Sequence, residues 1–393
     1  MIYSGHMQQF HFQHSQKKSI LSLGAESAGN FSVFSKNKLF FSKDFGNLLE
    51  NSNFQDLKKE LLLFLKEKNV APDIIITDIH PGYVTTELGR ELSKKFKATH
   101  IQVQHHHAHT FSSIGDYLLS QKQLTPLSQL SISTLKSISM DGTGLGTDEK
   151  IWGGESFAIT KTQDTISKKN TNFLLKMQRI GHLENQILLG GELAIKEPAR
   201  MLVSILSKFL SKEEVFSHVK KYYNKNQFEL LHSQLEQNFN CLETSSSGRI
   251  LDAVSVLLEF STNKRKFKHG PIAALSKNST KPYLNLKPKI EKIEGQYILS
   301  TTHLFEYLTK NLHKDKNRLA ATAQMYLAQG LCEMSHPSIS NPESTTFFIS
   351  GGVSNTKIIS DYFESKGAWK NKKIPRGDAG LSVGQIFYYL LTK

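Results

Sequence analysis

Four histidines stand within six residues in Gln104-His105-His106-His107-Ala108-His109. On a helix, His105 and His109 are four apart and face the same way. Two imidazoles on one face form half of a transition-metal site, which a carboxylate from elsewhere in the chain can complete. His106 and His107 then point off that face, where they could contact a phosphate or substrate. A polar helix end carrying incidental histidines is the plainer alternative. Asp378, at the start of the last apolar segment, is the candidate carboxylate. It could equally cap that helix, and the two roles are compatible.

Several glycine turns could hold an anion. Asp141-Gly142-Thr143-Gly144 follows an apolar segment. Glycines there let the backbone approach a phosphate, and the exposed amides form an anion nest. Asp141 at the strand end could hold a metal ion or its bound water. The pattern is neither a P-loop nor a dinucleotide fingerprint, and a plain Gly-rich hairpin also explains it. Gly190-Gly191-Glu192 could cradle a nucleotide sugar with the carboxylate on ribose hydroxyls. Ser350-Gly351-Gly352 is another strand running into glycines, and Ser245-Ser246-Ser247-Gly248-Arg249 with Asp252 suits anion binding or an N-capped helix.

The elements that must position these residues follow from hydrophobic spacing. Residues 19–24 read as a buried strand entering a turn, and 31–42 as a hairpin about Lys36-Asn37. Phe54, Leu57, Leu61 and Phe64 predict a helix, with Asn51, Ser52 and Asn53 as caps. Strands are expected over 73–79, 101–103, 135–140 and 345–350, and helices over 85–95 and from Asp378 to 391. Residues 1–18 read as a flexible tail, and 160–300 as a less regular, helix-rich insertion. Strands alternating with helices and ending in glycines argue for an α/β architecture with ligands at the strand ends.

Composition limits the function classes. Lys plus Arg is 49 against 35 Asp plus Glu, a net +14. The lysines are dispersed, so a solvated surface explains them better than a nucleic-acid groove. No apolar run approaches the length of a membrane span; residues 61–65 form one of the longest. The two cysteines, Cys241 and Cys332, exclude a disulfide scaffold, and no secretory signal is recognisable; a cytoplasmic location is expected.

The order of the motifs is more specific than any one of them. Glu26, Asp78-Ile79-His80-Pro81-Gly82-Tyr83, the Val103 to His109 string, Asp141-Gly142-Thr143-Gly144, Trp152-Gly153-Gly154-Glu155, Gly190-Gly191-Glu192, Glu197-Pro198-Ala199-Arg200, Ser247-Gly248-Arg249, Ser350-Gly351-Gly352-Val353 and Asp378 follow one another. This series resembles the C-terminal, TsaD-like part of the NiFe-hydrogenase maturation carbamoyltransferases, the HypF family. The resemblance implies two RNase H-like lobes of the actin/hexokinase (ASKHA) fold with a nucleotide cleft between them. Residues 19–134 would form the first lobe and 135–393 the second, the last helix closing the cleft. It also implies iron or zinc held by His105, His109 and Asp378, with Mg a further candidate. Asp141, His106 and His107 would be catalytic. ATP, AMP or carbamoyl-adenylate would lie against Gly142, Thr143, Gly144, Gly190, Gly191, Glu192, Gly351 and Gly352. A YrdC-like synthase would supply carbamoyl-adenylate in trans, and the C-terminal cysteine of a HypE-like protein would accept the carbamoyl group.

Departures from the family pattern keep rivals open. The usual Gly-Gly-Glu-Leu-Lys-Asn-Thr-Phe loop is Gly24-Ala25-Glu26-Ser27-Ala28-Gly29-Asn30-Phe31, and the usual Tyr-Glu-Gly is Lys268-His269-Gly270. An O-carbamoyltransferase, a tRNA threonylcarbamoyl-type transferase and a nucleotide-binding scaffold without turnover are the alternatives.

Overall fold

The computed structural model describes residues 7–121, 134–163, 173–335 and 347–393, and two β-sheets organise them. The first sheet contains β1 (Gln8–His11), β2 (Ile20–Ser22), β3 (Ser32–Ser35), β4 (Lys38–Phe41), β5 (Ile74–Asp78) and β6 (Thr99–Val103), in the order β1-β4-β3-β2-β5-β6. Strands β2 to β4 form an antiparallel meander, whereas β5 and β6 run parallel to β2. The β3–β4 hairpin turns at Lys36 and Asn37, with φ of 50° and 62°; a two-residue hairpin loop needs this left-handed pair to match the strand twist. Parallel strands require long crossovers, which the Asn51–Glu67 and Val84–Phe96 helices supply. All of β5 is buried, as suits an internal parallel strand covered on both faces.

The second sheet repeats this plan. It contains β7 (Thr134–Leu145), β8 (Ile151–Gln163), β9 (Phe173–Leu183), β10 (Gln186–Leu189), β11 (Cys241–Thr244), β12 (Ile290–Ile293), β13 (Gln296–Leu299), β14 (Phe347–Ser350) and β15 (Ala368–Trp369). Its main path is β12-β13-β9-β8-β7-β14-β15, with β11 pairing both β10 and β8. Counted from the first strand of each meander, β4-β3-β2-β5-β6 and β9-β8-β7-β14-β15 both run 3-2-1-4-5. The molecule is therefore two RNase H-like α/β lobes, as expected.

The lobes are joined by an exchange of helices. The His105–Ser120 helix follows β6 yet packs on β7 and β14 of the second sheet. The Leu381–Thr392 helix follows β15 and packs on β2 and β3 of the first sheet as well as on β9 of the second. The two helices lie against each other in a shared core that includes Val103, Phe111, Ile114, Leu135, Phe348, Ile386 and Phe387. Their approach is close. A Cβ on Gly384 would stand 1.9 Å from the Ala108 carbonyl oxygen, and one on Gly115 would stand 2.3 Å from the Phe387 ring.

Several elements differ from the sequence expectation. Part of the expected tail is the edge strand β1, paired with β4, and the Phe12 ring packs on Phe387 with centroids 4.9 Å apart. The Asn51–Glu67 helix has Glu50 at its N-cap and no side-chain cap, so Asn51, Ser52 and Asn53 lie inside it; burial of Leu57, Leu61, Phe64 and Leu65 holds it instead. The expected irregular region is mixed. β9 belongs to the central sheet, and the Ala199–Leu206, Lys212–Val219, Lys225–Glu236, Ser247–Leu257 and Gly270–Asn278 helices form a bundle after it. Residues 345–346 of the expected late strand lie outside the described residues. Among the described residues, no helix is long and apolar enough to cross a membrane.

Candidate metal centre and cleft

The His105–Ser120 helix places its first turn beside the end of β5 and the Asp141–Gly144 part of β7, so the expected histidine face meets two carboxylates. His105 Nε2 lies 3.4 Å from Asp141 Oδ2 and 3.8 Å from Asp378 Oδ1. His109 Nε2 lies 3.6 Å from Asp141 Oδ2 and 3.3 Å from Asp378 Oδ1. One ligand atom from each of these four residues falls within 4.8 Å of all the others. Both histidine Nε2 atoms are buried without a hydrogen-bond partner among the described residues. Buried polar groups rarely go unpaired, and two imidazole nitrogens facing two carboxylate oxygens fit the donor set of zinc or iron.

The shell behind the cluster is built to aim it. Asp78, at the end of β5, accepts at 2.7 Å from His105 Nδ1, which leaves the Nε2 lone pair facing the cluster. The other Asp78 oxygen accepts the His80 amide at 2.9 Å. Asp141 Oδ1 accepts the Gly352 amide at 3.1 Å, so the Gly351-Gly352 turn after β14 orients this carboxylate. Ser27 from the first lobe and Lys268 from the helical bundle both donate to Asp378 Oδ2, Lys268 at 2.7 Å. Lys268 also reaches Ser27, so its side chain bridges the two lobes.

Electrostatics follow from burial and these pairings. Burial disfavours charge on all four side chains. For His105, the nearby Asp141 carboxylate and the hydrogen-bonded Asp78 outweigh it and hold the pKa well above the ordinary value. His109 is raised by Asp141 and Asp378 against the same penalty. Asp141 overcomes burial through both imidazoles and is held well below the usual carboxylate range. Asp378 is likewise held far below it, against burial and the Asp141 charge, by Lys268 and the histidines. A divalent cation would replace the shared protons in this role. Tyr83 stacks on His80 at 4.2 Å; burial and then the surrounding carboxylates raise its phenol well above the ordinary range.

The remaining expected residues occupy different places. Asp141, Gly142, Thr143 and Gly144 do not form an open turn: they lie within β7, which pairs with β8 across a register shift between Met140 and Gly144. Gly144 lets this strand touch the histidines, since a Cβ there would stand 2.6 Å from His106 Cε1 and 2.8 Å from His105 Cδ2. His107 points away from the cluster, stacking on Tyr388 at 5.9 Å and meeting Phe157 edge-on at 5.7 Å. Burial there lowers its pKa to about 4. Gly190 and Gly191 turn with φ of 85° and 60° between β10 and the Leu193–Lys196 helix, and Glu192 is exposed. The neighbours of this turn are Arg200, Gln234 and Asn240 rather than residues of the cluster.

The serine motif has two roles. Ser246 caps the Ser247–Leu257 helix by accepting the Arg249 amide, and Ser246 and Ser247 donate to the Asp141 carbonyl. Arg249 lies beneath, only 2 % exposed, with Nη2 2.8 Å from Asp252 Oδ2. Its Nε, and the Nε of Arg265, have no hydrogen-bond partner among the described residues. Arg265 approaches the same carboxylate at 3.9 Å, and burial and then Arg249 push its pKa down to about 10. Two guanidinium groups around one carboxylate leave a surplus buried positive charge. Asp78, Ser27, Arg265 and Lys268 were not singled out from sequence as site residues. Only Asp78 carries a local signal, an acidic residue closing an isoleucine-rich strand.

Comparison with known proteins bears on the family and the fold. Residues 137–385 match the model of the family described as carbamoyltransferase, Kae1-like domain, second subdomain, and residues 15–116 match the HypF Kae1-like domain. A probable carbamoyltransferase HypF of Methanocaldococcus jannaschii is 34% identical over 95% of this chain and 46% of its own length. A carbamoyltransferase HypF homolog of Cupriavidus necator is 24% identical over 89% of this chain and 86% of its own length. The chain thus spans about half of the first relative and most of the second. A crystal structure of T. kodakarensis HypF superposes with a TM-score of 0.79 and 26% identity, covering 97% of this chain and 49% of that one. Full-length HypF in a phosphate- and nucleotide-bound form gives a TM-score of 0.81 at 22% identity, over 98% of this chain and 57% of that one, which shows the fold. With the family model covering more than half of its length, the chain belongs to the HypF carbamoyltransferase family, as a Kae1-like domain.

Proposed function

We propose that this chain transfers a carbamoyl group from carbamoyl-adenylate to the thiol of an acceptor such as the C-terminal cysteine of a HypE-like protein, as in hydrogenase maturation. The observation that carries the reading is the convergence of His105, His109, Asp141 and Asp378 within 4.8 Å, beside Arg249 and the partly buried Arg265, whose Nε atoms have no partner among the described residues. The donor is a mixed anhydride with an anionic leaving group, and the site offers a metal-ligand set next to surplus positive charge.

His105, His109, Asp141 and Asp378 would hold iron or zinc, which when bound polarises the carbamoyl carbonyl or anchors the phosphate. Asp78 and the Gly352 amide orient the ligands. Arg249 and Arg265 place positive charge beneath the Gly142 strand, where the adenylate phosphate gathers charge as it leaves. The thiolate forms a C–S bond to the carbamoyl carbon, the anhydride C–O bond breaks, and AMP departs with the electron pair. The thiol proton passes to water. A YrdC-like synthase supplies the donor.

The test uses the purified chain with carbamoyl-adenylate generated by a YrdC-like enzyme and a HypE-like acceptor. Intact-protein mass spectrometry should show the carbamoyl adduct with the wild-type chain. The His105→Ala, His109→Ala double variant should lose both bound metal and transfer. Normal transfer by that variant would refute the metal role.

A further inference from the structure

The hydrogen bonds of Gln104 decide which nitrogen of His106 carries the proton. Gln104 is the N-cap of the helix that bears the histidines, and its Oε1 accepts the His107 amide at 2.9 Å. Its Nε2 donates to the Leu145 carbonyl oxygen at 2.9 Å. A backbone N–H can only donate and a backbone carbonyl can only accept. Two independent partners therefore fix the orientation of this amide. The second hydrogen of the same NH2 group meets His106 Nδ1 at 3.1 Å. Nδ1 must then accept, so the ring proton sits on Nε2.

That Nε2–H is buried and has no hydrogen-bond partner among the described residues, and His106 itself is fully buried. Its ring centroid is 5.3 Å from that of His105 and 6.2 Å from that of His109. A cap side chain is thus committed to aligning a donor, beside the metal ligands, that no described protein group satisfies. An unmet buried donor is costly, and an acceptor oxygen on a bound group would remove that cost.

We propose that His106 is a fixed Nε2–H donor to an oxygen of the bound acyl substrate, with Gln104 as its positioning residue. The proposal rests on the transfer reading above and adds to it the group that would hold the carbamoyl oxygen as negative charge develops there. In this role His106 donates a hydrogen bond and neither gains nor loses its proton through the cycle.

Gln104→Glu tests the device without removing the imidazole. The introduced carboxylate still accepts the His107 amide; its second oxygen gives up the bond to the Leu145 carbonyl, faces Nδ1 and draws the proton there, leaving Nε2 as an acceptor. Histidine 15N NMR of the zinc-loaded protein, with His106 assigned by its loss in His106→Gln, should show the Nε2–H tautomer in wild type and Nδ1 protonation in Gln104→Glu. Zinc affinity by equilibrium dialysis should change less than about threefold in Gln104→Glu. Carbamoyl transfer from carbamoyl-adenylate should fall about 10²–10³-fold in kcat with KM little altered, the effect of losing one oxyanion donor. An Nδ1–H tautomer in wild type, or wild-type kcat in both Gln104→Glu and His106→Gln, would overturn the proposal. A wild-type protein inert toward carbamoyl-adenylate would overturn the transfer reading and the substrate oxygen with it, an outcome read separately from the tautomer.

Discussion

Asp78→Asn is the most discriminating perturbation of the proposed metal centre, because it changes one atom behind His105 and none of the four proposed ligands. Asp78 is 1 % exposed and directs one oxygen to the His80 amide at 2.9 Å and the other to His105 Nδ1 at 2.7 Å. In the variant the amide oxygen must stay with His80, since the reverse orientation sets two donors against each other. The NH2 group then faces Nδ1 and forces the His105 proton onto Nε2, the atom that lies 3.4 Å from Asp141. A metal must now expel that proton and lose the basicity conferred by the carboxylate. Loss of such an outer partner costs about 10–100-fold in affinity, which corresponds to about 1.4–2.8 kcal/mol. Competition against a chromophoric chelator with zinc or ferrous iron measures this directly. Denaturation of the metal-free protein controls for folding, as the side chains have the same shape. Metal affinity within about twofold of wild type, with an intact fold, would refute the claim that Asp78 sets the His105 tautomer.

Two further predictions concern other parts of the molecule. Gly384→Ala should destabilise by about 2 kcal/mol, the range of core overpacking, because its Cβ would lie 1.9 Å from the Ala108 carbonyl oxygen; unchanged chemical denaturation would contradict the helix contact. His107, with its pKa lowered to about 4 by burial, stabilises the fold fully above its unfolded value of about 6.5 and loses that contribution as pH falls toward 4. The shift corresponds to about 3 kcal/mol, so denaturant midpoints of His107→Phe should fall less than those of wild type between pH 7 and 4. Parallel curves would disprove the assignment.

The parts legible in the sequence are those encoded by short-range geometry. The spacing of His105 and His109 already implies a shared face, and Lys36-Asn37 already implies the hairpin. Asp378 was reachable because it stands just before the last apolar helix, although it lies in the turn before Leu381 and does not cap it. The bridge from Lys268 to Ser27 and Asp378 was not: those contacts span 241 and 110 residues and join the helical bundle to both lobes. His106 and His107 are neighbours of one residue type, and nothing local separates a ring beside the cluster from one stacked on Tyr388. The Asp141 to Gly144 segment misled in its local form. Its glycines read as a turn, but they keep an extended strand close enough to touch the histidine rings and Ser246.

The exchanged helices bear on how this cleft can move. His105 and His109 lie on one of the pair, and Asp378 sits immediately before the other. Two rods in backbone contact act as an axle, and points near an axle travel least when the bodies it joins rotate. A closing rotation of the lobes about this pair would keep the histidines and Asp378 nearly in register. The Lys268–Ser27 bridge, which meets Asp378 directly, would lie close to the same axle. Such an arrangement lets the lobes move while His105, His109 and Asp378 stay together.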